Sequence, residues 1–284
     1  MFKSKISKFI FAFFSAVVLF NISTNISHAD EVLTTEQKEQ LRGLGFPEEI
    51  VSSMTIEEYE KYSDIKAIEP AVVETTFYKI STDEYGDVVN LTPYNSSEAT
   101  SQMRYEKYLI SPLAGGCDQP TFCNSTTSWL SMTTSATSVG TDKYLLSNSF
   151  VWLNPPNIGL QDMVGITYNS GFSMINNTTE FAYKYDEAGI RKTQGATQIQ
   201  PTAVGVAALF DFRKIGAGLK NHHGYITTRV TKANKTQLNA NAYGHYTHTT
   251  IAINPTISIR TGDISLGVTT AEKKMPNTLL YITF

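Results

Sequence analysis

From residue 108 to residue 284 the chain reads as strand after strand, with turn residues between them and no helix inserted. That pattern constrains the fold more than any other feature. A parallel α/β sheet needs helical crossovers between its strands, and none interrupts this region. The candidate strands are Thr126–Thr137, Tyr144–Leu153, Met163–Tyr168, Glu180–Tyr185, Val204–Phe212, Gly224–Val230, Tyr243–Ile253, Ile257–Arg260, Ile264–Val268 and Thr278–Phe284. Thr261-Gly262-Asp263 joins two short alternating runs as a hairpin. Asn154-Pro155-Pro156 ends another strand, because proline donates nothing to a ladder. The expected fold is mainly β, an antiparallel β-sandwich of jelly-roll type.

Ahead of the strands the period changes. Residues 33–62 carry apolar positions at helical spacing, broken at Gly45-Phe46-Pro47. Thr34 with Gln37, and Thr55 with Glu58, fit capping boxes. Two or three short helices follow from this, acidic on the outside. Residues 72–91 read as a hairpin with its turn near Gly86, and a helix is expected from Ser96 or Ser97 to about Tyr108. The resulting division is 1–29 leader, 30–66 small helical module, 67–109 connecting hairpin and linker, and 110–284 sandwich.

Leu41-Arg42-Gly43-Leu44-Gly45-Phe46, then Glu48-Glu49-Ile50, Met54-Thr55 and Glu57-Glu58-Tyr59, resemble the N-terminal segment of Bacillus-type exported proteins of unknown function. The resemblance covers about 30 residues and brings no activity with it. The Leu-Gly-Phe turn is also similar to that of ubiquitin-associated three-helix domains, a likeness of small-bundle geometry from which no ubiquitin binding is carried over.

The first 29 residues fit an export signal. Lys3, Lys5 and Lys8 precede an apolar run from Phe9 to Phe20, which is shorter than the ~20 residues a spanning helix needs. Ser27-His28-Ala29 supplies small residues before a cleavage point between Ala29 and Asp30. The mature chain has no later apolar run long enough to cross a bilayer, so an extracellular, secreted bacterial protein with no integral span is expected. In that compartment Cys117 and Cys123, separated by the turn-forming Asp118-Gln119-Pro120, are expected to form a disulfide. A loop this small adds roughly 2–3 kcal/mol in the loop-entropy model. A metal half-site or a nucleophilic thiol is the competing use of the pair, but the spacing is not that of a zinc site.

Charge divides the mature chain. Residues 30–109 hold 17 acidic and 7 basic side chains, whereas residues 110–284 hold 9 acidic and 13 basic. The excess of positive charge in the second part is too small and too scattered for nucleic acid.

The search for chemistry returns candidates but no constellation. His222-His223 and His245-x2-His248 are the histidine pairs, and on a strand residues three apart point to opposite faces. No metal and no cofactor is expected. Gly171-Phe172-Ser173-Met174-Ile175 misses the last glycine of a nucleophile elbow. Paired carboxylates for glycan hydrolysis would have to come from Asp162, Glu180, Asp186, Glu187 and Asp211. Trp129, Trp152, Tyr168, Tyr183, Tyr185, Tyr225, Tyr243 and Tyr246 could be stacking platforms for sugars, or simply core. Ser125 to Ser138 is dominated by Ser and Thr, which suits a half-exposed sheet strand, or alternatively a membrane-inserting hairpin.

Catalytic residues are therefore unassigned. The function expected is non-catalytic binding at a cell surface or a glycan, with an extracellular glycan hydrolase and a pore-forming toxin as alternatives.

Overall fold

Thr34 and Thr55 start helices for the same reason. Each hydroxyl accepts the backbone N–H three residues on, while Gln37 and Glu58 reach back to the capping residue's own N–H. These helices are α1 (Thr35–Gly43) and α3 (Ile56–Glu60), with α2 (Glu48–Val51) between them after Pro47. Gly45, at φ +86°, makes the turn out of α1 that a side chain would resist. A fourth helix, α4, spans Ser96–Leu109 as expected.

The computed structural model describes residues 32–82, 88–109, 126–155, 161–213, 219–249, 256–267 and 272–284. The leader with its Ala29–Asp30 junction, and Cys117 with Cys123, lie outside the described residues. Val32–Phe284 forms one compact unit.

The strands are β1 (Val72–Thr82), β2 (Val88–Tyr94), β3 (Thr126–Gly140), β4 (Lys143–Asn154), β5 (Gln161–Tyr168), β6 (Phe172–Met174), β7 (Glu180–Glu187) and β8 (Ile190–Gln194). They continue as β9 (Gln198–Thr202), β10 (Gly205–Asp211), β11 (Leu219–Lys232), β12 (Asn239–Thr249), β13 (Ile257–Arg260), β14 (Asp263–Leu266), β15 (Glu272–Lys274) and β16 (Thr278–Thr283). All pairings are antiparallel. An eight-stranded sheet runs β2-β1-β3-β4-β11-β7-β8, with β6 also on β11. A six-stranded sheet runs β15-β12-β5-β10-β9, with β16 also on β12. The hairpin β13–β14 stands alone. The fold is the expected antiparallel sandwich, preceded by helices and a hairpin. That hairpin belongs to the larger sheet, since β1 pairs with β3 along its whole length.

The two sheets enclose the main core, where Phe150, Trp152, Ile166, Tyr183, Phe210 and Tyr246 are all buried. Burial of each such side chain contributes about 1.5–3 kcal/mol. A second core lies on the outer face of the larger sheet, where Leu41, Leu44, Phe46 and Tyr62 from the helices meet Leu145, Ala182 and Tyr225. A third lies on the outer face of the smaller sheet, where Ile257, Ile264 and Leu266 of the hairpin cover Met163, Ala207 and Leu209. Gly165 permits this last approach, because a Cβ there would overlap the end of Ile264.

The layering changes one expectation. The Ser/Thr-rich strand β3 is not half-exposed: Leu130, Met132 and Thr134 face the sandwich core, and Thr133, Ser135 and Thr137 are buried on the other side. The helices cover that second face. Thr137 Oγ1 donates to Leu44 O at 2.9 Å, and a Cβ on Gly45 would come within 2.6 Å of Ser135. Small hydroxyl side chains let the helical segment approach the sheet closely, and neither face is left to meet lipid.

Candidate functional site

Even-numbered residues of β5 and β12 point between the sheets, which brings Asp162 opposite His248 in register. His248 Nδ1 donates to Asp162 Oδ1 at 2.7 Å. Tyr246, two residues earlier on the same face of β12, donates its hydroxyl to Asp162 Oδ2. Trp152 of β4 closes the network, its Nε1–H donating to the Tyr246 hydroxyl at 2.9 Å. Asp162 is fully buried, and both of its oxygens have partners. Burial and the neighbouring Asp162 charge push the Tyr246 phenol well above its ordinary range.

A second polar pair lies beside the first. Tyr183 Oη accepts Arg213 N–H at 3.2 Å, so its own proton goes to His222 Nδ1 at 2.6 Å. The neutral imidazole of His222 then carries its hydrogen on Nε2, which has no partner among the described residues. Phe212 joins the two pairs, its ring 4.7 Å from that of His222 and 5.9 Å from that of His248. Trp152 stands edge-on to Phe212, Tyr246 and His248. Burial lowers the His222 pKa to about 4.

Chemically, a carboxylate on Nδ1–H fixes the tautomer of His248 and makes Nε2 its basic nitrogen, the arrangement of an oriented base. Here the pair is sealed between two sheets, with His248 2% exposed and Asp162 at zero. The donors and acceptors serve one another and the joining of β4, β5 and β12. No group of three His, Cys, Asp or Glu side chains with metal-holding geometry occurs among the described residues.

The other histidines are placed singly. His223 faces outward from the larger sheet, donating Nδ1–H to Asn221 O, and His245 faces outward from the smaller sheet against Thr167 Oγ1 at 2.7 Å. Burial lowers both pKa values to about 4. His222 and His223 thus diverge, as do His245 and His248, while His222 and His248 approach the same ring from distant parts of the sequence.

The five candidate carboxylates do not pair. Asp162 is enclosed between the sheets. Glu180 and Asp186 are on the outer face of the larger sheet, bonded to Lys61 and to Arg191 with Asn221. Six residues of strand separate them by about 20 Å. Glu187 ends that strand, exposed. Asp211 sits on the smaller sheet beside Gln161, whose amide donates to it at 3.1 Å. Asp186 and Glu187 alternate to opposite faces of β7, and Asp162 and Asp211 to opposite faces of the β5–β10 pair, so no two of the five line one groove as a glycosidase pair does. The candidate sugar platforms are also used internally: Trp129, Trp152, Tyr168, Tyr183, Tyr185, Tyr225 and Tyr246 are all buried.

One polar surface was missed in the sequence, and it lies under the helices. Ser135, Ser147 and Thr227 form one cross-strand row on the outer face of β3, β4 and β11, and Thr133, Ser149 and Tyr225 form the next. Tyr62 Oη shares a 3.0 Å hydrogen bond with Thr227, and Phe46 meets Tyr225 edge-on with ring centroids 5.5 Å apart. Lys184 of β7, almost fully buried, donates to Glu58 and to Ser53 O. Alternation of hydroxyl residues along β3 was the available signal, but it also describes a solvated strand.

No family model matches the chain, and no curated protein matches it. Among solved structures it is similar to the collagen-binding subdomain of the Enterococcus faecalis surface protein ACE, at 11% identity over 51% of this chain and 90% of that one, TM-score 0.30. It is also similar to the collagen-binding domain of a Staphylococcus aureus adhesin, at 6% identity over 50% and 89%, TM-score 0.30. A third likeness is to the Streptococcus pneumoniae pilus backbone RrgB, at 10% identity over 40% and 27%, TM-score 0.28.

Proposed function

We propose that this chain is an exported, non-catalytic binding protein that acts at an extracellular surface. The observation that carries the proposal is the disposition of its chemistry-bearing groups. Asp162, His248, Tyr246, Tyr183 and His222 are consumed in mutual hydrogen bonds inside the sandwich. Of the other candidate carboxylates, Glu180 and Asp186 are bonded to Lys61 and Arg191 on the outer face of the larger sheet, six residues apart along β7, and Asp211 is on the smaller sheet beside Gln161. A double sheet whose buried carboxylate, Asp162, has both oxygens occupied by Tyr246 and His248 suits presentation of a surface better than turnover. The leader sequence supports export, and no helix among the described residues is long and apolar enough to cross a membrane.

The test is pull-down of the purified mature chain with peptidoglycan sacculi, neutral polysaccharides and immobilised collagen. Saturable binding to one of them, with no product released from it, is expected. Release of sugars or peptides in step with protein concentration would overturn the proposal.

A further inference from the structure

Among the described residues, half of the buried side-chain polar atoms that lack a hydrogen-bond partner fall on one interface. Of ten such atoms, Ser135 Oγ, Ser147 Oγ, Ser149 Oγ, His223 Nε2 and Glu58 Oε1 belong to the outer face of the larger sheet or to the helix resting on it. The three serines are each 1% exposed. A permanent interface leaves few groups of this kind, since each loses its bonds to water and gains nothing in return.

We propose that residues 32–65 are a releasable cap, and that the hydroxyl face beneath is a binding site for a neutral polyhydroxylated chain. The proposal rests on the binding-protein function above and names the ligand class and the place. Serines 135, 147 and 149, with Thr133 and Thr227, offer hydroxyls on three adjacent strands. Neighbouring strands are about 4.8 Å apart, and each hydroxyl both donates and accepts. A glycan chain presents the complementary array, and Tyr225 on the same face supplies a ring for a sugar to stack against. The charged residues of the face, Glu180, Lys184 and Asp186, stand together on β7 at its margin, Glu180 opposite Thr227 and held by Lys61. The closed cap occupies this place itself, with Gly45 directly over Ser135 and the Phe46 ring against Tyr225. Binding therefore requires opening, and the apparent affinity is reduced by the fraction of molecules that are open.

The test uses the full mature chain and the variant Ser135→Ala/Ser147→Ala/Ser149→Ala, with Ser147→Ala alone as a milder second variant. Hydrogen exchange followed by mass spectrometry is expected to show amides of residues 32–65 exchanging faster than those of β4 and β5, by an opening short of global unfolding. The triple variant is expected to melt at the same or a higher temperature, because it removes unpaired groups, and to bind cellulose, chitin or starch at least roughly tenfold more weakly. Exchange of the cap only through global unfolding would overturn the proposal. So would a triple variant that is less stable but binds undiminished, which would mean that buried waters satisfy the serines in the closed form. Binding to gelatin alone would replace the glycan with a protein ligand and overturn it too. If the wild-type chain binds a surface and the triple variant binds it equally, this site falls while the binding function stands. If neither binds any surface, both fall.

Discussion

His248 donates from Nδ1 to Asp162 Oδ1 at 2.7 Å, and the two residues are register partners across β12 and β5. The bond is a tie between neighbouring strands at the rim of the main core. Tyr246 and Trp152 extend it to the opposite sheet.

Asparagine at 162 keeps one acceptor oxygen but turns an NH2 toward the other donor, which strands one of the two in a dry interior. Asp162→Asn is expected to lower stability by about 3 kcal/mol, as breaking a buried pair does. Tyr246→Phe, which removes one donor and leaves Trp152 Nε1 unpaired, should lower it by about 1–2 kcal/mol. Urea unfolding of both variants checks the order. An Asp162→Asn protein as stable as wild type would remove the network from the account of stability.

Acid should unfold the protein through its histidines. His222, His223 and His245 are held near pKa 4 by burial, below the ordinary 6.5. The folded-state pKa is lowered, so between pH 4 and 6.5 the unfolded chain binds more protons. Their contribution is complete above pH 6.5 and falls as pH drops toward 4. Each histidine adds a slope of about 1.4 kcal/mol per pH unit in that window. Unfolding free energies at pH 7, 6 and 5 should decline, and His245→Asn should flatten the decline by one proton.

Much of this fold is legible in the sequence, and the reasons are local. Capping boxes at Thr34 and Thr55 are complete within four residues, and the Ile257–Arg260 and Ile264–Leu266 hairpin announces itself by alternation around Gly262. Strands β8 and β9 escaped notice because Ile190–Gln194 and Gln198–Thr202 are exposed edge strands with little apolar periodicity to betray them. The site was harder. Asp162 stood among the candidates, but its partners lie 84 and 86 residues further on, and only the β5–β12 register brings them together. Likewise, the strand carrying Ser135 reads as half-exposed, because nothing local shows that helices earlier in the chain return to cover it.

Asn148 is a polar staple through the middle of the sandwich. From β4 it donates across to Gly165 O and His245 O at 3.0 Å each, and accepts from Thr134 Oγ1. Asn148→Ala should cost about 2–4 kcal/mol, combining lost bonds with unsatisfied groups. Gly244→Ala should be comparably harmful, since its Cβ would overlap Thr134 Oγ1 and lie 2.7 Å from Asn148 Oδ1. Thermal melts of the two variants test this, and a tolerated alanine at 244 would mean that the sheets separate readily there.

Lys184 and Glu58 invite a double-mutant cycle. Lys184→Met alone leaves a carboxylate in a buried setting and should cost about 3–5 kcal/mol, whereas the double variant Lys184→Met/Glu58→Gln, which removes the charge and keeps the capping bond to Thr55 N, should recover most of that loss. Guanidinium unfolding of all four proteins gives the coupling. Additive losses would show that the two side chains act independently.

The cap also has a consequence in time. Its helices stand first among the described elements, yet Tyr62 is bonded to Thr227, a residue 165 positions later, and Leu44 to Thr137, 93 positions later. During synthesis the small bundle forms early from its own capping boxes but has no sheet to rest on until β11 has emerged and paired. Contacts of such long range are slow to close. The segment made first among these is thus the one that must wait longest for its place.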